Sequence, residues 1–184
     1  HDDWLTSVTI GGNGLSILTT SVDSTARLWD VKAPAAPIVF RIARGIVRTG
    51  AISPDGARVV TGSDDKLIRI WRANGGTVEK ELSGHTDIIT NLAFNADGSR
   101  FVSTSMDQTA RIWATDGSAS PIELKGHCGG VVAAAWSDDA SRIVTASEDF
   151  TARVWDGQTG AFLFALEHDG EVLGATFSND GKRI

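Results

Sequence analysis

The sequence predicts an all-β protein built from four-stranded antiparallel meanders that follow one another every 42 residues. One observation is a register of three residue types. Trp29, Trp71, Trp113 and Trp155 stand at equal 42-residue intervals. Six residues before each lies an aspartate (Asp23, Asp65, Asp107, Asp149), and two before each lies an arginine (Arg27, Arg69, Arg111, Arg153). Chance does not set three residue types in one register four times. The other observation is the texture between these marks. Short apolar runs alternate with Gly- and Asp-rich turns, and no apolar stretch of period 3.6 is long enough for a helix.

Residues 88–125 show the elements of one unit in order. IITNLAF carries apolar residues at 88, 92 and 94 and reads as a first strand. NADG is a hairpin turn, with Asp97-Gly98 supplying the turn chemistry. SRFVSTS and TARIWA read as the second and third strands. DGSASP is a loop, since Pro121 fits only the start or edge of a strand, and PIELKG is a short fourth strand. The matching turns elsewhere are GGNG at 11–14, SPDG, SDDA and SNDG. One such meander cannot bury both its faces, whereas stacked copies can. A period of 42 residues fits propeller blades, and strands this short and Gly-interrupted exclude helical repeats.

A second marker sits between the tryptophans. Gly84-His85 and Gly126-His127 are 42 residues apart, and His1 falls in the same register. His168 comes one residue early, and Ala43 stands where the second unit should have histidine.

Composition narrows the function. The 184 residues hold 17 Lys+Arg against 23 Asp+Glu, a net charge of −6. With no cationic excess to release counterions, binding driven by nucleic-acid phosphates is not expected, nor is a polybasic membrane contact. No apolar run approaches the length of a membrane-spanning helix. The one cysteine, Cys128, excludes an intramolecular disulfide framework and fits a cytoplasmic protein.

With these marks in place, the whole chain resembles the WD-repeat (WD40) β-propeller family. The unit Gly84-His85, Asp107, Trp113 has the family's spacings of 22 and six residues, repeated by His127, Asp149 and Trp155. Trp29-Asp30 and Trp155-Asp156 keep the family's dipeptide, while Trp71-Arg72 and Trp113-Ala114 depart from it. The resemblance implies blades at about 4–42, 46–82, 88–125 and 130–167, with 171–184 starting a fifth and stopping inside its second strand. Closed rings of the family usually hold about seven blades, so an incomplete open arc is expected, a piece of a longer protein. Such an arc should expose apolar end faces around Trp4 to Phe40 and Val172 to Ile184, favouring self-association or the chain's remaining blades as partners.

The resemblance also implies a hydrogen-bonded foursome within each blade. By position these are His1, Thr19, Asp23 and Trp29; His85, Ser103, Asp107 and Trp113; and His127, Thr145, Asp149 and Trp155. The second blade keeps only Thr61, Asp65 and Trp71. Its missing histidine, and Gly50 where the third unit has Leu92, make a looser blade the expectation. Buried indole, imidazole and carboxylate groups each need a partner, and here they can satisfy one another.

Sharper chemistry fits these residues less well. Asp, His and Ser/Thr invite a catalytic triad, but a hydrolase needs one activated and open nucleophile, not the same trio in three blades. The histidines lie at least 41 residues apart, unlike zinc ligands, and Cys128 has no CxxC partner. GGNG lacks the Lys-Ser/Thr and the helix of a phosphate loop, and SDDA has too few fixed oxygens for calcium. No cofactor is implied. The arginines are expected to lay their stems on the blade and keep their guanidinium groups in water.

What remains is a recognition surface. In the family, partners dock on the narrower face around the central opening. Three sites per unit should reach it: Val22, Asp64, Met106 and Glu148; then Trp4, Ile46, Ile88, Gly130 and Glu171; then Thr6, Arg48, Thr90, Val132 and Leu173. Variable side chains on a constant frame suit recognition, and Trp, Met and Arg are favoured in interfaces. The expected function is a non-enzymatic scaffold for a protein or peptide partner. The alternative is a sensor or targeting module of a larger bacterial signalling protein carrying a kinase or NTPase domain. Twelve Arg against five Lys, with abundant Ala, suits the bacterial reading.

Overall fold

The computed structural model describes residues 1–12, 14–33 and 36–184. Asn13, in the turn read at 11–14, and Pro34 and Ala35, in the loop before the fourth strand, lie outside the described residues. The chain divides into two units, His1–Ile89 and Thr90–Ile184.

In the first unit, β1 (Leu5–Ile10), β2 (Ser16–Ser21), β3 (Thr25–Asp30) and β4 (Ile38–Arg41) form one sheet in sequence order. A second follows from β5 (Val47–Ile52), β6 (Arg58–Ser63), β7 (Ile68–Arg72) and β8 (Val78–Leu82). The third sheet is β9 (Ile89–Phe94), β10 (Arg100–Ser105), β11 (Ala110–Ala114) and β12 (Ile122–Leu124). In the second unit it is followed by β13 (Val131–Trp136), β14 (Arg142–Ser147), β15 (Thr151–Asp156) and β16 (Phe162–Glu167). Each sheet pairs only consecutive strands, so each is an antiparallel meander. No helix occurs among the described residues.

Repetition of sequence produces repetition of turn geometry. Asp55, Asp97, Asp139 and Asp180 each accept the main-chain N–H two residues on, at 2.8–3.1 Å. The residue after each aspartate is left-handed: Gly56, Gly98 and Gly181 at φ 65–71°, and Ala140 at 55°. Ser137 and Ser141 donate to Asp139 and push its pKa down to about 2. The turn from second to third strand is equally uniform, with Ser24, Lys66, Gln108 and Phe150 at φ 67–71°.

Within each unit a core lies between its two sheets. In the first unit, Leu18, Ala26 and Phe40 of the first sheet pack on Val47, Val59 and Trp71 of the second. Phe40 and Trp71 meet edge to face, 5.5 Å between ring centroids. Phe40 is therefore core, not the exposed end residue expected from its position. In the second unit, Val102, Ala110 and Leu124 pack on Ala134, Ile143 and Trp155. Leu18, Ala26, Phe40, Val59 and Trp71 stand two repeats before Val102, Ala110, Leu124, Ile143 and Trp155, so one junction is built twice.

The opposite face of the first sheet exposes Leu5, Val8 and Ile10, and Trp29 is half-buried where Trp71, Trp113 and Trp155 are buried. Residues 171–184 form no strand. Val172, Ala175 and Phe177 nonetheless pack on Val144, Ala152 and Val154 of the fourth sheet. The turn at Ser178–Arg183 is closed by the Ser178 N–H on the Arg183 carbonyl and by the Arg183 N–H on the Ser178 hydroxyl.

Gly50 does not loosen the second sheet. A Cβ there would meet Leu18 Cδ2 at 2.7 Å and the Val60 carbonyl at 3.2 Å. Thr9 Oγ1 of the first sheet also donates to the Gly50 carbonyl at 2.8 Å. Glycine lets the two sheets approach. Gly50→Ala should lower the urea-unfolding free energy of the first unit by about 1–3 kcal/mol, the usual cost of overpacking. Gly174→Ala, with open space around the added atom, should be nearly neutral in the same assay.

Candidate functional site

The constant element of each sheet is an indole held by a hydroxyl. The Nε1–H groups of Trp29, Trp71, Trp113 and Trp155 donate to Thr19, Thr61, Ser103 and Thr145 at 2.8–2.9 Å. Second and third strands pair so that each hydroxyl lies diagonally beside its indole.

In the fourth sheet the network is extended. His127 Nδ1 lies 2.8 Å from Asp149 Oδ2, and Nε2 lies 2.7 Å from Thr145 Oγ1. With the proton on Nδ1, His127 donates to the carboxylate and accepts the Thr145 hydroxyl, which itself accepts the indole N–H. Asp149 also accepts the Cys128 N–H at 2.9 Å and the Thr151 hydroxyl at 2.7 Å. His1, Thr19, Asp23 and Trp29 repeat this geometry in the first sheet, at 2.9 Å to the carboxylate and 2.7 Å to the hydroxyl. His85 is buried, and Asp107 accepts the Thr109 hydroxyl and N–H at 2.7 and 3.0 Å.

The electrostatics follow from burial. Burial lowers the His127 pKa and outweighs the Asp149 carboxylate beside it, so the ring is neutral. Burial would raise the Asp149 pKa, but the bonds from Thr151, Cys128 and His127 overcome it and hold the carboxyl well below its usual range. Although Asp149, His127 and Thr145 are arranged as in a hydrolytic triad, Thr145 is fully buried and its oxygen is committed to Trp155 and His127. A nucleophile needs an open face.

The second sheet compensates for its missing histidine. Arg69 turns inward to Asp65 at 2.8 Å, to Glu81 at 2.7 Å and to the Ser63 hydroxyl at 3.2 Å. Asp65 is thus held rather than freed. Burial would raise its pKa, but Arg69, Ser63 and Leu67 bring it below normal. The expectation of solvated guanidinium groups fails more widely. Arg111 binds Glu123 at 2.6 Å, and Arg27 approaches Asp23 and Asp2 at 3.6 Å. Arg153 lies over the Phe162 ring, 5.5 Å from its centroid. Glu81, Glu123 and Phe162 are brought across by the fourth strands, which sequence spacing alone did not show.

The rim positions share a main-chain clamp. Val22, Asp64 and Glu148 donate their N–H groups to the carbonyls of Trp4, Ile46 and Gly130 at 3.0–3.2 Å. The side chains on this clamp differ in each sheet. Trp4 is 83% exposed. The Asp64 carboxylate accepts the Ile46 N–H at 2.7 Å and lies 3.9 Å from Arg48. Gly130 leaves room for Met106, whose sulfur would sit 2.8 Å from an added Cβ, with Glu148 at 2.9 Å. Ile88 is half-buried, and Glu171 and Leu173 are exposed.

Thr6, Arg48 and Val132 each occupy an extra residue where the first strand slips against the second, a β-bulge repeated at one place in three sheets. Bulges re-aim side chains. Thr6 and Thr90 spend their hydroxyls on the carbonyls of Val47 and Val131 in the following sheets, so they serve the junctions rather than a partner. Val132 packs into the core beneath Val172 and Phe177. Phe150 was missed. It is 48% exposed beside Glu148, at a left-handed position where the other turns carry Ser, Lys and Gln. An aromatic residue directly after the turn aspartate was the available signal.

Among the described residues, no group of three or more His, Cys, Asp or Glu could hold a metal. The model of the WD domain, G-beta repeat, matches residues 1–30, 41–72, 76–114 and 119–156, well over half of the chain. The chain belongs to the WD40 repeat family. Its four sheets are the blades of that repeat, and WD40 repeats generally mediate protein–protein interaction and are typically non-catalytic. No curated protein matches the chain.

Two predictions follow from the foursome. Thr145→Val removes the partner of both Trp155 and His127 and should cost about 2–3 kcal/mol in urea unfolding. Thr61→Val, which strands only the indole, should cost about 1–2 kcal/mol. The second concerns pH. His127 has its folded pKa lowered from 6.5, so the unfolded chain binds the proton first as pH falls. Stability should be full above pH 6.5 and decline below it, with a second decline below 3.8 as the lowered carboxylates of Asp149, Asp65 and Asp23 take up protons. His127→Gln should flatten the first decline and leave the second, measured as urea midpoints against pH.

Proposed function

We propose that this WD40 chain is a non-enzymatic scaffold that recognises a protein or peptide through the rim of its blades. The observation that carries the reading is the contrast at the rim. The clamp from the turn N–H to the first-strand carbonyl is constant in three blades, while the side chains on it are Val22 and Trp4, Asp64 and Ile46, then Glu148 and Gly130. A fixed frame with changing chemistry is what recognition requires, and folding alone does not call for an exposed tryptophan. In the first unit Trp4, Arg48 and Asp64 offer an aromatic anchor with polar neighbours. In the second, Met106, Glu148 and the exposed Phe150 offer an adaptable apolar contact beside a charge. The Asp–His–Thr groups are structural in this reading and carry out no chemistry.

The test is partner binding by rim variants. Trp4→Ala and Arg48→Ala should weaken an identified partner about tenfold or more each, as anchor truncations do. Lys80→Ala on the outer strand of the second blade should leave it unchanged. Equal binding by all three variants, in a titration with the purified partner, would overturn the reading.

A further inference from the structure

The rims of the second and fourth blades keep one carboxylate in opposite surroundings. Two repeats along the chain, Glu148 stands where the second blade has Asp64. Cys128 replaces Arg44, Val132 replaces Arg48, and Phe150 replaces Lys66. The second blade therefore supplies its own cations. Arg48 lies 3.9 Å from Asp64, and Lys66 reaches the Thr86 carbonyl at 2.8 Å. In the fourth blade all three cations have become uncharged side chains, and the carboxylate remains.

Glu148 is left without a counter-charge. It is half-buried, and its carboxylate has no hydrogen bond or ion pair among the described residues. It lies against a thioether, since a Cβ on Gly130 would meet Met106 Sδ at 2.8 Å and Glu148 Oε2 at 2.9 Å. The Val172 N–H donates to the Ser147 carbonyl at 3.1 Å, which brings the exposed Glu171 next to the Glu148 main chain. The basic side chains of the second unit are engaged or lie elsewhere. Arg111 and Lys125 bind Glu123, Arg100 donates to the Gly157 and Gln158 carbonyls, and Arg153 covers the Phe162 ring. Arg142 opens β14 and Glu148 follows its end, about 20 Å along the strand. Lys182 and Arg183 belong to the Ser178–Arg183 turn, the counterpart of the turn at Ser137–Arg142. His168, beside Phe150, turns Nδ1 to the Leu166 carbonyl at 3.1 Å.

We infer, resting on the rim reading above, that the fourth blade takes a basic segment of the protein partner. An arginine or lysine head meets Glu148, and its apolar stem crosses Met106 and Phe150. Such side chains join a long apolar stem to a charged tip, which is the pattern of this patch. The thioether is adaptable surface for the stem, and the exposed Phe150 ring attracts a cation over its face. Glu148 then accepts a charge-assisted bond in place of the one that Arg48 offers in the second blade. An acidic or neutral segment would cover Glu148 and leave it unpaired, which is costly.

Fluorescence anisotropy of a labelled peptide of alternating arginine and alanine, titrated with the full 184-residue chain, tests the proposal. Saturable binding is expected, and a peptide of alternating glutamate and alanine should not bind. Glu148→Gln should weaken binding about tenfold, as the loss of one charge-assisted contact does. Phe150→Lys restores the second blade's residue at an exposed site and should weaken it at least as much. Asp138→Asn removes an equal charge from the β13–β14 turn and should change nothing. Circular dichroism of all three variants should match the parent. A parent chain that does not bind the arginine peptide overturns the proposal. Equal weakening by Glu148→Gln and Asp138→Asn also overturns it, because the attraction would then be one of net charge. Either result leaves the rim reading itself to the Trp4 and Arg48 variants.

Discussion

The indole N–H needs an acceptor once the ring is buried, and that need organises the blade. A tryptophan large enough to fill the gap between sheets brings one polar hydrogen with it, and leaving that hydrogen unpaired costs about 1–3 kcal/mol. The second strand supplies a hydroxyl in all four sheets, as Thr19, Thr61, Ser103 and Thr145. The histidine and aspartate elaborate on this bond rather than create it. The second sheet shows the order of importance: histidine is gone, the indole–hydroxyl bond is intact, and Arg69 steps in beside the half-buried Asp65 carboxylate.

Much of this was legible in the sequence because repetition multiplies weak signals. One Asp before one Trp says little, whereas four in register marked out the strands and turns, and the family resemblance they carried implied the foursome of His127, Thr145, Asp149 and Trp155. The errors arose where a residue's role depends on the neighbouring sheet or strand. Gly50 looked like a loss of packing because its own strand gains nothing from it, yet the carbonyl and the missing side chain serve the sheet in front. Arg69 looked solvated because Glu81 lies 12 residues away across a strand pair. Thr6, Arg48 and Val132 share a bulge that has no mark in composition, since the extra residue is a matter of ladder register.

The rim and the outer edges follow different rules. At the rim the main chain is constant and the side chains vary, so chemistry can change from blade to blade without disturbing the fold. At the outer edge the main chain is itself the adhesive, and side chains decide whether it is available. Charge guards it on β8, brevity on β12, and a register shift at Leu163 interrupts the apolar run of β16.

The bonds that cross between sheets carry a consequence for how the chain acquires its structure. Every ladder joins strands adjacent in sequence, so each meander closes through short loops at little entropic cost. The cross-sheet bonds from Thr6 to Val47 and from Thr90 to Val131 each span 41 residues. Within each unit, an emerging blade therefore waits about one repeat length for the sheet that covers its core. Assembly can proceed by accretion in the direction of synthesis, each finished sheet serving as the template for the next.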